Sequence, residues 1–206
     1  MLETIKIENG KPYNIFFHNL RLNNSRKELF GCRDFIKLEN IIKVPAEMKT
    51  GTYKCRLIYS DTVKKPEFLP YQKRKIKNLK VVVCDSIEYN YKYENRECLN
   101  ELLALKQNCD DILVVKNRKI TDTSFSNVVF SDGKKWVTPS EPLLKGTKRE
   151  KLLSEKKIVQ DEIKISDLKH FQEAALINSM LDLDDNKLKI KSIHNKLQYI
   201  CDIPRE

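Results

Sequence analysis

The feature that most constrains this chain is a short polar and aromatic stretch from Tyr91 to Arg96. A predicted buried strand at 76–84 precedes it, and a predicted helix at 95–107 begins inside it. Lys92 lies at this strand-to-helix junction between two tyrosines, a setting in which an amine can be partly desolvated and nucleophilic. The chain has many lysines, most of which must lie on the surface, so the setting alone does not assign a role to Lys92.

Length and composition allow a packed core. The 206 residues are 40% hydrophobic and 33% charged, enough for one sizeable domain or two smaller ones. The polar and basic stretch Gln72 to Lys75 is the best candidate for a linker. We therefore predict a small N-terminal α/β domain at 1–72 and a C-terminal domain at 73–206 that carries Lys92.

The net charge of +10 leaves two interpretations open. Basic residues are spread along the whole chain and no recognisable nucleic-acid module is present, which favours a site for a small anionic molecule over nucleic-acid binding. The six cysteines show no zinc-ligand spacing, so no metal site is predicted. With no signal peptide and no apolar run of about 18 residues, we expect reduced thiols, no membrane span and a cytoplasmic location.

The two ends of the chain carry clear local patterns. Glu3 to Glu8 alternates as a strand, Asn9-Gly10 is a hairpin turn, and 12–17 is predicted as the return strand. A helix is predicted from His18 to Phe30, with Leu20, Ser25 and Leu29 close to one stripe and Gly31 as its C-terminal cap. Near the other end, Lys187 to Tyr199 is predicted to form a terminal helix.

Two further segments have residue types and spacing that are common when taken alone. Asp122 stands five residues before Asn127, and Asn127 begins the apolar run that ends at Phe130. By itself, Asp122 is typical of a turn residue. In Leu144 to Arg149, Gly146 precedes a predicted helix start, where free backbone N–H groups can bind an anion. A glycine and threonine before a helix are also a common cap.

Taken together and in this order, the three segments resemble the class IV (fold-type IV) pyridoxal-phosphate enzymes. In the lyase branch of that family the cofactor lysine is followed by two residues and then Asn-Arg, as in Lys92-Tyr93-Glu94-Asn95-Arg96. The resemblance implies that Lys92 holds the cofactor covalently and acts as the catalytic base. It also implies that Asp122, one methylene shorter than the family's Glu, pairs with the pyridine nitrogen.

Other matches extend the resemblance over roughly residues 2–183. His18-Asn19-Leu20-Arg21-Leu22 is similar to the family's phosphate-clamping segment, which makes Arg21 a phosphate ligand. The resemblance assigns further cofactor contacts to Gly146, Thr147, Lys148, Asn178 and Ser179. Arg56, on a strand, is a candidate for a substrate carboxylate, with a structural salt bridge as an equal alternative.

The resemblance implies an α/β (α+β) two-domain fold like that of D-amino-acid aminotransferase, with pyridoxal 5'-phosphate at the domain interface and a homodimeric assembly. The favoured activity is that of 4-amino-4-deoxychorismate lyase, which gives 4-aminobenzoate and pyruvate in folate biosynthesis. A branched-chain or D-amino-acid aminotransferase is the alternative, and a basic nucleic-acid-binding or non-catalytic family member is the alternative of another class. Strands that usually precede the Glu3-Thr4 strand are absent from the sequence, so a short form with altered substrate specificity is expected.

Overall fold

The structure is a computed structural model that describes residues 1–200, apart from the side chain of residue 197. The chain divides into two compact units. The first holds Met1–Lys73 and Tyr91–Glu94, and the second holds Arg74–Asn90 and the residues from Asn95 onward. The first break falls beside the predicted boundary at 72, but the short segment that carries Lys92 clusters with the first unit and not with the second.

Within residues 1–200, the first unit is an antiparallel sheet with helices. The sheet order is β2-β1-β3-β4. Its elements are β1 (Leu2–Glu8), β2 (Lys11–Pro12), α1 (Ile15–Phe30), α2 (Leu38–Ile41), a 3-10 turn (Ala46–Met48), β3 (Thr52–Ile58) and β4 (Glu67–Pro70).

Strand alternation builds the core of the first unit. Ile5 and Ile7 of β1 are fully buried, and they pack with Leu22 of α1 and with Cys55 and Leu57 of β3. Cys55 lies directly opposite Ile5 in the antiparallel register. Ile5 and Ile7 therefore lie on the same face of β1, as the period-two pattern predicts, and the buried Glu3 shares this face.

Two predictions in this unit were wrong in detail. The return strand ends at Pro12, because Asn14 adopts a left-handed conformation with φ 57° and α1 begins at Ile15. Of the predicted stripe, Leu20 and Leu29 are exposed and Ser25 is buried, and the other buried positions of α1 include His18 and Leu22. The sheet therefore packs against a more polar helix face than the leucine spacing suggested. The C-terminal cap at Gly31 is confirmed, with φ 66°.

The second unit is a mixed sheet with two α-helices among the residues described. The strand order is β10-β9-β8-β7-β6-β5-β13, and β11 pairs with both β8 and β12. The elements are β5 (Leu79–Cys84), α3 (Glu97–Ala104), β6 (Asp111–Lys116), β7 (Lys119–Thr123), β8 (Asn127–Ser131), β9 (Trp136–Pro139), α4 (Thr147–Ser154), β10 (Val159–Asp161), a 3-10 helix (Ile165–His170), β11 (Glu173–Ile177), β12 (Lys187–Lys189), a 3-10 turn (Ile190–Ser192) and β13 (Ile193–Ile200).

The centre of this sheet is apolar on both faces. Strands β5 and β6 run parallel, and Val81 and Leu113 belong to one buried cluster while Val82 and Ile112 belong to another. Leu102 of α3 packs into the second cluster. Near-continuous apolar runs are typical of strands that are covered on both faces.

The predicted terminal helix at 187–199 was wrong. This segment forms β12, a 3-10 turn and β13, and β13 runs parallel to β5 with Ile193 opposite Leu79. The backbone groups along the free edge of β5 need hydrogen-bonding partners, and β13 supplies them. This long-range pairing outweighs the local preference of the segment for a helix.

Three further observations concern the cysteines, membrane-spanning helices and metal-binding side chains. Five cysteines within residues 1–200 are free thiols, and Cys201 lies outside the described residues. In the same range, no helix is long and apolar enough to cross a membrane, and no three His, Cys, Asp or Glu side chains are grouped so that they could hold a metal ion.

Candidate functional site

In the first unit, a buried carboxylate organises the beginning of α1. His18 Nδ1 lies 2.6 Å from Glu3 Oε2, and Arg21 donates from Nε to Oε1 (2.7 Å) and from Nη2 to Oε2 (2.6 Å). Burial alone would raise the pKa of Glu3, but the charge and hydrogen bonds of Arg21, with those of His18, lower it to about 2. Glu3 is therefore ionised at neutral pH, and it fixes the orientation of the Arg21 guanidinium.

Lys92 belongs to the same unit. Its carbonyl oxygen accepts a hydrogen bond from the Leu2 backbone N–H (2.9 Å), so it adjoins the start of β1. Its side chain is half-buried. Burial lowers the pKa of His18, Glu3 opposes the shift, and the charges of Arg21 and Lys92 add to it. The structure therefore brings Lys92 into the neighbourhood of Glu3, His18 and Arg21.

The two tyrosines beside Lys92 hold the segment in place. Their rings meet edge to face with centroids 6.1 Å apart, and the Tyr91 hydroxyl donates to Glu28 Oε2 at 2.8 Å. These contacts fix the chain on both sides of Lys92, although Tyr93 is itself partly exposed.

Arg56 forms the salt bridge that the sequence offered as an alternative to a substrate contact. Its Nη2 donates to Glu94 Oε1 at 2.8 Å and its Nη1 donates to Glu67 Oε2 at 3.2 Å. The guanidinium already binds two carboxylates, so a role in binding a substrate carboxylate stays a prediction.

In the second unit, a tight turn places Asp122 opposite Asn127. Thr123 N donates to Ser126 O at 2.8 Å, and Asp122 pairs with Asn127 across the β7–β8 hairpin. This tight turn accounts for the five-residue spacing between Asp122 and Asn127. Asp122 Oδ1 accepts from Asn127 Nδ2 (2.7 Å) and Oδ2 accepts from the Leu144 N–H (2.9 Å).

The electrostatics of Asp122 suit a partner that carries an N–H group. Burial raises its pKa to about 7, against the opposing hydrogen bonds from Leu144 and Asn127 and the charge of Arg149. Its hydrogen-bond donors are neutral amides, and a carboxylate has room for about four donors. Asp122 therefore fits a protonated ring nitrogen, which would lower its pKa.

The start of α4 suits an anion. Gly146 is the N-cap without a side-chain cap, and the first intrahelical bond runs from Glu150 N to Gly146 O (3.0 Å). In any α-helix the backbone N–H groups of the first turn point toward the N-terminal end, where they can contribute to binding an anion. Thr147 and Lys148, in the first turn of α4, are both buried. This is the arrangement expected for a phosphate group at a helix N-terminus.

The loop after β11 lies next to the start of α4. Lys148 Nζ forms an ion pair with Asp182, and Asn178 Nδ2 donates to Ser126 Oγ at 3.0 Å. Asn178 Oδ1 also accepts from Met180 N at 2.8 Å. The amide of Asn178 therefore shapes this loop. Its contact with a cofactor stays a prediction, as does that of Ser179.

The structure thus forms two groups from the predicted residues. In the first unit it brings Arg21 and Lys92 together, and in the second it brings Asp122 close to the start of α4 and the loop after β11. Sequence reasoning missed the functional weight of Glu3 and Asn127. Glu3 lies in the predicted Glu3-Thr4 strand, and Asn127 is the residue used to locate Asp122. These positions in the sequence were the available signal for both residues.

Arg149, the last residue of the glycine segment, is part of the framework. It is fully buried and donates to Pro139 O (2.9 Å) and to Gln160 Oε1 (3.1 Å). These bonds attach α4 to β9 and β10, which gives Arg149 a structural role.

The sequence profile of the class IV aminotransferases matches residues 1–183. The chain belongs to this family, whose members are pyridoxal-phosphate-dependent enzymes.

Individual relatives agree with this assignment. An uncharacterised protein of Haemophilus influenzae Rd is 39% identical over 183 residues, which cover 87% of this chain and 97% of that protein. A crystal structure of a provisionally assigned 4-amino-4-deoxychorismate lyase from Haemophilus somnus 129PT is similar with a TM-score of 0.81 and 36% identity, covering 87% of this chain and 95% of that one.

A more distant structure supports the fold alone. A hypothetical aminotransferase of Mycobacterium tuberculosis, solved with pyridoxal phosphate bound, is 17% identical with a TM-score of 0.68, covering 94% of this chain and 80% of that one.

Proposed function

We propose that this protein is a 4-amino-4-deoxychorismate lyase, which converts a small anionic amino compound into 4-aminobenzoate and pyruvate and so serves folate biosynthesis. The observation that carries the chemistry is the buried Asp122, whose pKa is about 7 and whose donors are neutral amides. Support for the lyase branch comes from Lys92-Tyr93-Glu94-Asn95-Arg96 and from the 36% identical relative of Haemophilus somnus.

Each proposed site residue has one task. Pyridoxal phosphate, when bound, supplies an electron sink for the bond-breaking step. Asp122 accepts the ring N–H and keeps the ring nitrogen protonated. Lys92 holds the cofactor through its amine and then takes the proton from the substrate carbon that bears nitrogen.

In the second unit, the backbone N–H groups of Thr147 and Lys148 are proposed to contact the cofactor's phosphate. In the first unit, Arg21 is proposed as a phosphate ligand from the family resemblance alone. Glu3 orients Arg21 through two hydrogen bonds (2.7 and 2.6 Å), as a bidentate contact to a dianion requires. Gly146, Asn178 and Ser179 are proposed to shape the phosphate contact of the second unit. Arg56 is proposed to meet the substrate carboxylate only if a substrate displaces one of its two acidic partners.

The alternative reaction within the family is amino transfer, as catalysed by branched-chain or D-amino-acid aminotransferases. It is favoured by the family's own description as class IV aminotransferases. Lys92 would then both remove the proton from the substrate carbon that bears nitrogen and donate it back, and a 2-oxo acid would accept the amino group. We further propose, from the family resemblance, a homodimer and a cytoplasmic location.

The decisive experiment is the visible absorption spectrum of wild type and Lys92→Ala before and after borohydride. We expect a band in the wild type that borohydride removes and that the variant lacks. Lys77→Ala is the matched control, since Lys77 is exposed and should keep the band. A wild-type protein that stays colourless with added pyridoxal phosphate would refute the proposal.

A second measurement separates the two reactions. Pyruvate release from 4-amino-4-deoxychorismate indicates the lyase. Amino transfer to a 2-oxo acid without pyruvate release indicates the aminotransferase. Nucleic-acid binding by a colourless protein, abolished by modest salt, would instead indicate a basic binding protein.

A further inference from the structure

We propose that Asn127 is a positioning residue that joins Asp122 to the Leu144–Gly146 segment. One side chain would then set both the acid that meets the cofactor ring and the start of the helix that meets its phosphate. The part of this inference that concerns the cofactor rests on the proposed function. The part that concerns the protein rests on contacts within the second unit alone.

The first observation is a closed set of hydrogen bonds. Asn127 Nδ2 donates to Asp122 Oδ1 (2.7 Å) and to Leu144 O (2.8 Å). The Leu144 N–H donates to Asp122 Oδ2 (2.9 Å). Asp122, Asn127 and Leu144 are thereby linked in pairs. Asn127 and Asp122 are both buried, so water does not compete with these bonds.

The second observation explains a glycine. A Cβ built on Gly146 would lie 2.0 Å from Asn127 Oδ1, and the three nearest atoms all belong to the Asn127 amide group. Gly146 has φ −69° and ψ 141°, a conformation that any residue adopts. The backbone therefore does not require glycine here. The Asn127 side chain does, because it occupies the space that a Cβ would take.

The third step concerns residue type. The amide of asparagine has two N–H donors and one oxygen acceptor. At position 127 both donations are used, one on the buried acid and one on the Leu144 carbonyl, while the oxygen faces Gly146. A donor that reaches a buried carboxylate stabilises its charged form. Asn127 therefore acts on the charge of Asp122 and on the position of α4 together.

The test is a double-mutant cycle on the cofactor-free protein: Asn127→Ala, Gly146→Ala and the pair, each measured by urea unfolding. We expect Gly146→Ala to lower the unfolding midpoint in the wild-type background. In the Asn127→Ala background it should have no effect or raise the midpoint, since alanine then meets no obstacle and restricts the unfolded chain. Equal effects of Gly146→Ala in both backgrounds would overturn the steric part of the proposal.

A readout that a merely structural asparagine would not move is the titration of Asp122, followed by carbon NMR of labelled aspartate and assigned with Asp122→Asn. Asn127→Ala should raise the pKa of Asp122. Asn186→Ala is the matched control: Asn186 is equally buried and bonds Arg74 O (2.9 Å) and Ile76 N (3.1 Å), away from Asp122. An unchanged pKa in Asn127→Ala, or the same change in both variants, would overturn the electrostatic part.

Titration with pyridoxal phosphate connects the inference to function. We expect its Kd to rise by about tenfold or more in Asn127→Ala, and by less than about twofold in Asn186→Ala. A wild type that takes up no pyridoxal phosphate would refute the proposed function, while the mutant cycle and the Asp122 titration would still decide the role of Asn127.

Discussion

Replacing Arg21 by methionine should strongly destabilise the first unit, because it leaves the Glu3 carboxylate buried without the two hydrogen bonds and the positive charge of the guanidinium. Glu3 is fully buried, and Arg21 donates to both of its oxygens. The methionine roughly keeps the apolar stem of arginine, so the change isolates the loss of the guanidinium. His18 remains beside Glu3 at 2.6 Å, but burial lowers its pKa and favours the neutral imidazole.

The magnitude follows from the pKa of Glu3, which is lowered from 4.5 to about 2. Each unit of pKa corresponds to about 1.4 kcal/mol, so the ionised, paired carboxylate contributes about 3 kcal/mol at neutral pH. As an independent comparison, removing one partner of a buried ion pair typically lowers the free energy of unfolding by about 3–5 kcal/mol. We therefore expect Arg21→Met to lower the free energy of unfolding by about 3–5 kcal/mol at pH 7.

The same pKa sets the dependence on pH. A carboxyl whose folded-state pKa is lowered stabilises the protein above its unfolded pKa of 4.5, and this stabilisation is lost as the pH falls toward about 2. The difference in the free energy of unfolding between wild type and Arg21→Met should therefore fall to about half of its pH 7 value at pH 3.

Urea unfolding of the cofactor-free protein, followed by circular dichroism at pH 7, 5 and 3, measures both quantities. Arg26→Met is the control on the same helix. Arg26 is buried, but its partner Asp34 is exposed and stays solvated without it, so the pH dependence should be weaker. A loss below about 1 kcal/mol at pH 7, or a loss that does not change with pH, would refute the reasoning.

Three further predictions follow from single sites. The cofactor-free protein should lose up to about 4 kcal/mol of stability as the pH rises from about 4 to 7, because the pKa of Asp122 is raised from 3.8 to about 7; urea unfolding should show this slope and Asp122→Asn should flatten it. Phe130→Ala should cost about 3–5 kcal/mol in chemical denaturation, since the ring is fully buried and packs on Phe171 at 5.3 Å, whereas the exposed Phe16→Ala should change stability by less than about 0.5 kcal/mol. Gly133→Ala should lower the melting temperature, with a cost of about 1 kcal/mol, because its φ is +90° and a Cβ would lie 2.8 Å from Gln172 Nε2; an unchanged melting temperature would contradict this.

Local patterns in the sequence predicted much of the fold. The apolar run at 76–84 located β5, and Gly31 marked the end of α1. They failed where a long-range partner decided the outcome. The segment at 187–199 has a helix-compatible composition, yet it forms β13 because β5 offers a parallel edge. The apolar stripe of α1 failed for a similar reason, since Glu3 draws His18 and Arg21 inward.

The candidate site divides in the same way. The order and spacing of Lys92, Asp122 and Gly146 were readable, because each motif is contiguous and its residue types match the chemistry. The contacts that determine the orientation and ionisation of the site residues could not be read from the sequence. Glu3 meets Arg21 from another element of the first unit, and Asn127 meets Leu144 across the second unit.

By itself, the sequence determined which residue types stand at each motif and which short segments turn, extend or coil. The five-residue spacing of Asp122 and Asn127 is an example, since one tight turn accounts for it. The tertiary structure decided which groups are desolvated and by what they are bonded. The pKa of Glu3 near 2 and that of Asp122 near 7 come from the same burial. They differ because packing places a guanidinium against one carboxylate and neutral amides against the other.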